Sequence, residues 1–150
     1  MGDIDLRGKK IVLVSHCILN QNCVVEPLAR AKGAFKFVTK LVDEGVGILQ
    51  LPCPELRHYG LDRKPMDKFD YDTPIHRQMC KDMLRPVIRE IEEYMLHNYE
   101  IIGIIGVEDS PNCDIKENRG IFMQELFKLL NDKNLQLKSC EVPLEYDESH

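Results

Sequence analysis

The chain has 150 residues, 43% of them hydrophobic and 30% charged, with a formal net charge of −5. That is enough apolar material for one domain with a core. The acidic balance argues against extended nucleic-acid binding, which needs a basic footprint, although a local basic patch stays possible. No apolar run reaches the ~18 residues of a membrane helix. The opening MGDIDLRGKK lacks the apolar centre of a signal peptide. Met1-Gly2 begins like a myristoylation signal, but Leu6 stands where that signal needs Ser or Thr. Six cysteines without a leader point to a reducing, cytoplasmic setting. Clustered thiols there bind metal or do chemistry more often than they pair as disulfides.

Residues 9–15, KKIVLVS, are a continuous rather than alternating apolar run, which predicts a strand buried on both faces. Residues 17–34, with Asn20, Asn22, Pro27 and Gly33, read as a long functional loop with at most a turn of helix near Leu28. A helix is expected over 34–44, with Phe35, Val38, Leu41 and Val42 on its inner face and Gly45 as its C-terminal cap. Residues 46–51, VGILQL, form the second strand, followed by a loop over 52–72 rich in Pro and charge. Thr73 then caps a helix with Pro74 at its first position. Ile75, Met79, Met83, Val87, Ile91 and Tyr94 keep helical spacing, and Pro86 should kink or divide that helix. Residues 100–107, EIIGIIGV, are the third strand, whose two glycines suggest close approach of backbone or ligand. A third helix is expected over 117–131 with Ile121, Phe122, Leu126, Leu129 and Leu130 inward, then a weaker edge strand over 135–142. The acidic tail after Pro143 reads as disordered.

The order β-α-β-α-β-α-β with right-handed crossovers predicts a three-layer α/β/α domain over residues 1–150. Its four-stranded sheet should be mainly parallel and Rossmann- or flavodoxin-like, in the order 2-1-3-4. Ligands of such sheets bind beyond the strand C-termini. Cys17, Cys53 and Cys113 each follow a predicted strand, so three thiols far apart in sequence should meet at one site. Three soft ligands can hold a metal or a cluster and leave one position open for chemistry. Cys80, inside an amphipathic helix, and Cys140, at the edge strand, read as structural. Cys23 is open between a fourth ligand, a sulfur-relay thiol and loop packing. Its C-x5-C spacing from Cys17 is not that of a zinc ribbon. No arginine closes the loop as in small tyrosine phosphatases, and no P-loop or G-x-G-x-x-G is present.

VSHCILNQNCVVE, LPCPE and GVEDSPNCD, with QLPCPELRHYGLDR and YDTPIHRQMC between them, resemble motifs of the 2-thiouracil desulfurase family (TudS), particularly its TudS-related desulfidase branch. The resemblance covers residues 9–115. It implies that Cys17, Cys53 and Cys113 hold a [4Fe-4S] cluster whose fourth iron takes the sulfur of a thiocarbonyl, converting C=S to C=O with release of sulfide and no net redox. The family pattern around the third cysteine is Ser-Pro-Ser-Cys-Gly; here it is Ser110-Pro111-Asn112-Cys113-Asp114. The implied substrate is a small thiolated pyrimidine base or nucleoside, and a homodimer is compatible with the short chain. Glu55, two residues after Cys53, is the first choice for general acid/base. Ser110 and Asp109 are candidates for orienting water or substrate, though both also suit a turn before Pro111. Asn20 and Asn22 are expected to shape their loop, and His16 to pack beside the site. Arg57, His58, Arg63 and Lys64 form a local basic patch, more simply read as a solvated loop. Two other readings stand beside this one. One is a sulfur carrier or insertion protein, using the same cluster or a Cys23 persulfide. The other is a non-enzymatic domain with a closed zinc site completed by Cys23 or His16.

Overall fold

The computed structural model describes residues 4–116 and 118–148. The Met1-Gly2 start, position 117 and the last two residues of the tail lie outside the described residues. Four strands, β1 (Lys10–Val14), β2 (Gly47–Gln50), β3 (Glu100–Val107) and β4 (Ser139–Val142), form one sheet in the order β2-β1-β3-β4. Every pairing in it is parallel. The expected topology is thus present, and the sheet is wholly rather than mainly parallel.

β1 shows why a continuous apolar strand belongs at the centre. Leu13 packs on one face with Cys80, Leu84, Ile91, Phe122 and Leu126. Val12 and Val14 pack on the other with Ile18, Phe35, Val38 and Val46. The first face is covered by α5 (Pro74–Leu96) and α6 (Ile121–Asp132), the second by α2 (Val38–Asp43) and the loop before it. This makes three layers. The register of β1 against β3 jumps from Ile11↔Ile101 to Val12↔Gly103, so Ile102 is an inserted residue.

Several local expectations are corrected. The helix placed over 34–44 begins at Val38; Phe35 is buried but precedes it, and Val42, expected inward, is 62% exposed. Gly45 takes a positive φ of 75° just past the helix, as its capping role requires. Thr73 caps α5 as expected, accepting from the His76 N–H at 3.1 Å. The buried row of α5 is His76, Cys80, Leu84, Val87, Ile88 and Ile91, while Ile75 is 72% exposed. Two adjacent rows of this helix are apolar, and the sheet selects the one that includes Cys80. Pro86 does not divide α5: it lies on the exposed face, where the carbonyl it leaves unpaired can be hydrated. The two long loops contain short helices, α1 (His16–Leu19), α3 (Pro54–Tyr59) and α4 (Lys68–Tyr71), and a 3-10 turn over Gln21–Cys23. The third helix starts at Ile121 rather than 117, and β4 is shorter than expected. The tail is not loose through 148. Tyr146 meets Phe35 edge-on at 5.3 Å and Phe37 at 6.0 Å, and Arg30 Nη1 donates to the carbonyls of Pro143 and Leu144. Among the described residues no helix is long and apolar enough to cross a membrane.

Candidate functional site

The loops after β1, β2 and β3 meet around a cavity of about 470 Å³ at the C-terminal edge of the sheet. Cys17, Cys53 and Cys113 all line it, with Cys23, Glu55, Ser110 and Asp109. A second hollow of about 700 Å³ runs along the free edge of β2 beside α5, lined by Ile48, Met83 and Tyr94 among others, and has no cysteine.

Each thiol is held by local chemistry. Cys17 lies in the first turn of α1, and its carbonyl accepts from Gln21 Nε2 at 2.9 Å. Gln21 is buried; its Oε1 takes the Arg30 N–H at 2.8 Å and its own N–H reaches the Gly33 carbonyl at 2.8 Å, so one side chain braces the whole first loop. Cys53 is the N-cap of α3, with Pro54 behind it and the Leu56 N–H donating to Sγ at 3.4 Å. Cys113 sits in a turn pressed onto β3. The Val107 N–H donates to the Cys113 carbonyl at 2.9 Å, and a Cβ on Gly106 would overlap that carbonyl oxygen and the Ile115 side chain. Gly120 likewise leaves room for the Asn112 backbone. The glycine expected to permit close approach thus admits backbone, and it places a thiol.

The thiols perturb one another. Cys53 accepts a hydrogen bond from Cys23, and this, with the Leu56 N–H and Arg63, outweighs burial and lowers it to about 7. Cys23 is correspondingly raised, first by giving that bond and then by burial. Burial pushes Cys17 up to about 12, with the charges of Cys53 and Glu55 adding to it. Burial also raises Cys113 well above the ordinary thiol value; the neighbouring Cys17 adds to this and the Ser15 hydroxyl opposes it. Cys53 is therefore the thiol of the four that is lowered rather than raised, in keeping with the backbone N–H that reaches its sulfur. Ser15, fully buried at the end of β1, has no nitrogen or oxygen partner for its Oγ; what it faces is the Cys113 thiol. Among the described residues, no three His, Cys, Asp or Glu side chains are drawn together as the ligands of a single ion would be. Cys17, Cys53 and Cys113 on one cavity wall are soft donors of the type that a zinc ion or an iron-sulfur cluster takes.

Glu55 points into this cavity from the first turn of α3. Its Oε2 accepts from Asn112 Nδ2 at 3.0 Å, and its Oε1 lies 3.4 Å from Arg63 Nε in an ion pair rather than a hydrogen bond. Their side chains are 14% and 4% exposed. Arg63 also donates from Nη1 to the Gly60 carbonyl at 2.8 Å and from Nη2 to the Cys23 carbonyl, tying the second long loop to the first. Asn112 Oδ1 in turn faces buried His76 Nε2 at 2.8 Å, a pairing in which the ring nitrogen is the donor because the amide nitrogen is turned to Glu55; burial holds His76 below its ordinary value. Tyr71 lies against Glu55; burial raises its hydroxyl, and the carboxylate adds to that.

Ser110 lines the cavity, but its Oγ accepts from the Cys113 N–H at 3.0 Å and the Asn112 N–H at 3.4 Å, which is turn formation. Its hydroxyl hydrogen remains to donate. Asp109 is exposed at the rim with φ +67°, and its N–H donates to Asp114 Oδ2 at 2.7 Å. Asp114, where the resembled family has glycine, is 5% exposed and has no positive φ, so it serves as the acceptor that closes this loop. His16 Nδ1 donates to the Leu51 carbonyl at 3.1 Å, which fixes the ring at the strand end, and the residue lines the cavity beside Cys17. Asn20 Oδ1 takes Asn22 N–H groups and shapes the 3-10 turn. The four-residue basic patch is not one surface: Arg63 is turned inward to Glu55, while Arg57, His58 and Lys64 are exposed. Cys80 is core and Cys140 is exposed on β4. All six thiols are free. Arg63 stood in the sequence only as part of a basic patch, and Asn112, His76, Tyr71, Gln21 and Ser15 were given no role there, because their partners lie on other elements.

A parallel α/β domain with a thiol-lined cavity and a braced carboxylate at its strand C-termini is the class that fold and site define. No protein-family model matches the chain, and no solved structure matches it. It is 48% identical over 139 residues to a protein named "Uncharacterized protein MJ0003" from Methanocaldococcus jannaschii, across 92% of this chain and 88% of the relative. The chain belongs to the family of that archaeal protein.

Proposed function

We propose that the chain is an iron-sulfur-dependent desulfidase that hydrolyses a small thiocarbonyl, a thiolated pyrimidine base or nucleoside in the first instance. The observation that carries this reading is the convergence of Cys17, Cys53 and Cys113 on one cavity with Glu55 beside them. It agrees with the motif resemblance to the 2-thiouracil desulfurases. Those three cysteines would hold the cluster. When bound, the cluster supplies a Lewis-acidic iron with an open position that favours soft sulfur.

The balance is R₂C=S + H₂O → R₂C=O + H₂S. Glu55, steadied by Asn112 and Arg63, takes a proton at Oε1 from the water that adds to the carbon and returns it to the departing sulfur. The Ser110 hydroxyl hydrogen is free to point at the substrate. Val24, Val25, Leu28 and Leu144 give the cavity an apolar wall. A cavity of about 470 Å³ has to house the cluster as well as the substrate, which favours a small heterocycle. Six free thiols suit a reducing, cytoplasmic setting.

The test is the anaerobic absorption spectrum with iron and acid-labile sulfide counted per chain, then sulfide release from 2-thiouracil. A broad shoulder near ~400 nm with about four irons is expected. Cys17→Ala, Cys53→Ala and Cys113→Ala should each lose it, whereas Glu55→Gln should keep it and slow turnover by about 10²- to 10⁴-fold. A colourless protein carrying one zinc would overturn the proposal.

A further inference from the structure

We propose that the free edge of β2 is an interface for a second copy of this chain, the two sheets joining antiparallel about a two-fold axis at Leu49. The interface does not depend on the chemistry of the thiol site.

Among the described residues β2 pairs only with β1, so one side of its backbone is open. The Leu51 N–H donates to the Val14 carbonyl at 2.8 Å. In a parallel ladder that commits the backbone of Gly47, Leu49 and Leu51 to β1 and turns the N–H and carbonyl of Ile48 and Gln50 outward. Such an edge is a template for another strand, and proteins guard it with charge, proline or a covering element. β4, at the other edge, contains Glu141 and directly follows Lys138. β2, Gly-Ile-Leu-Gln, carries no charge and no proline.

The flanking residues fix the register. The Val46 N–H is taken by the Leu41 carbonyl at 3.0 Å, and Pro52 has no N–H to give. An axis at Ile48 would set Gln50 against Val46, and an axis at Gln50 would set Ile48 against Pro52. Only an axis at Leu49 sets Ile48 against Gln50 on both sides and pairs every outward N–H with an outward carbonyl. Charge agrees with this arrangement. The hollow of about 700 Å³ along this edge is lined by Arg57, on the helix that follows β2, and by Glu90 on α5. α5 runs from the site end, where His76 meets Asn112, to the start of β3, so Glu90 lies in its far half. Both side chains are exposed, and neither has an ion-pair partner among the described residues. The two-fold axis turns Arg57 of each copy toward Glu90 of the other.

Sedimentation equilibrium of the full chain under reducing conditions measures the association, and backbone amide exchange locates it. The wild type is expected to form a dimer that dissociates on dilution, with the Ile48 and Gln50 N–H groups exchanging more slowly as the dimer forms. Arg57→Glu and Glu90→Arg should each weaken association by about tenfold or more, because each sets like charges against one another twice. The double variant Arg57→Glu/Glu90→Arg should regain it. A wild type that stays monomeric at the highest concentration would overturn the inference. So would a dimer in which Ile48 and Gln50 exchange as fast as in the monomer, or a double variant that associates no better than the single ones.

Discussion

Arg63→Met should expose how much the site depends on one side chain. Arg63 is 4% exposed, pairs with a Glu55 that is 14% exposed, and fills the carbonyls of Gly60 and Cys23. Removing it leaves Glu55 with the Asn112 donor and the Tyr71 hydroxyl but no cation, and strands two carbonyls. Breaking a buried pair from one side costs about 3–5 kcal/mol. Against a total of about 5–15 kcal/mol for a domain of this kind, that is a large share. Arg63→Met/Glu55→Gln removes the orphaned charge while a glutamine oxygen still accepts from Asn112. It should therefore be more stable than Arg63→Met alone by about 1–3 kcal/mol, the cost of leaving a buried group without its partner. Urea unfolding of metal-free protein under reducing conditions, followed by circular dichroism, measures both. A double variant no more stable than Arg63→Met would refute the reasoning, because the cost would then lie in the carbonyls or in packing and not in the charge.

Gly106→Ala should destabilise by about 1–3 kcal/mol, because the new methyl overlaps the Cys113 carbonyl; Gly33→Ala, with nothing within 4 Å of its Cβ, is the near-neutral control in the same unfolding assay. Glu125 gives a pH dependence away from the site. Its carboxylate, 0% exposed, meets Arg77 Nη1 at 2.7 Å and Lys128 Nζ at 3.1 Å. Burial works to raise it, but Arg77 and Lys128 outweigh burial and hold it below its ordinary value. A lowered folded value contributes stability above the unfolded one, and that stability is lost as pH falls below about 4.3. Glu125→Gln should be less stable at neutral pH and lose less on acidification; an unchanged acid profile would remove Glu125 from the account.

Much of this fold was legible along the chain because β1 and β3 are continuous apolar runs and the crossovers between parallel strands have one hand. Thr73 and Gly45 announced their caps for local reasons, and both act as caps. The inner face of α5 was not legible: Ile75 and His76 begin neighbouring rows, and only the buried contact of His76 with Asn112, 36 residues on, favours the row that is polar at its first position. Of the short helices, α3 starts at the Cys53 cap and α4 at a capping box of Asp67 and Asp70, while α1 has no side-chain cap; all lie within loops that otherwise read as irregular. At the site, strand-end placement brought out Cys17, Cys53 and Cys113. Arg63 looked like part of a solvated patch because its partners, Glu55 and the Cys23 carbonyl, are 8 and 40 residues away.

The central position of β1 also sets an order of events during synthesis. β1 is made first, yet its pairing with β3 waits for residues 100–107, and the Cys113 turn is later still. Until then Cys17 and Cys23 belong to a loop with no opposing wall. A growing chain therefore carries reactive sulfurs for most of its translation without a site to put them in. A group held by Cys17, Cys53 and Cys113 together has its full ligand set only once the Cys113 turn is made, and its binding energy becomes folding energy for the whole sheet.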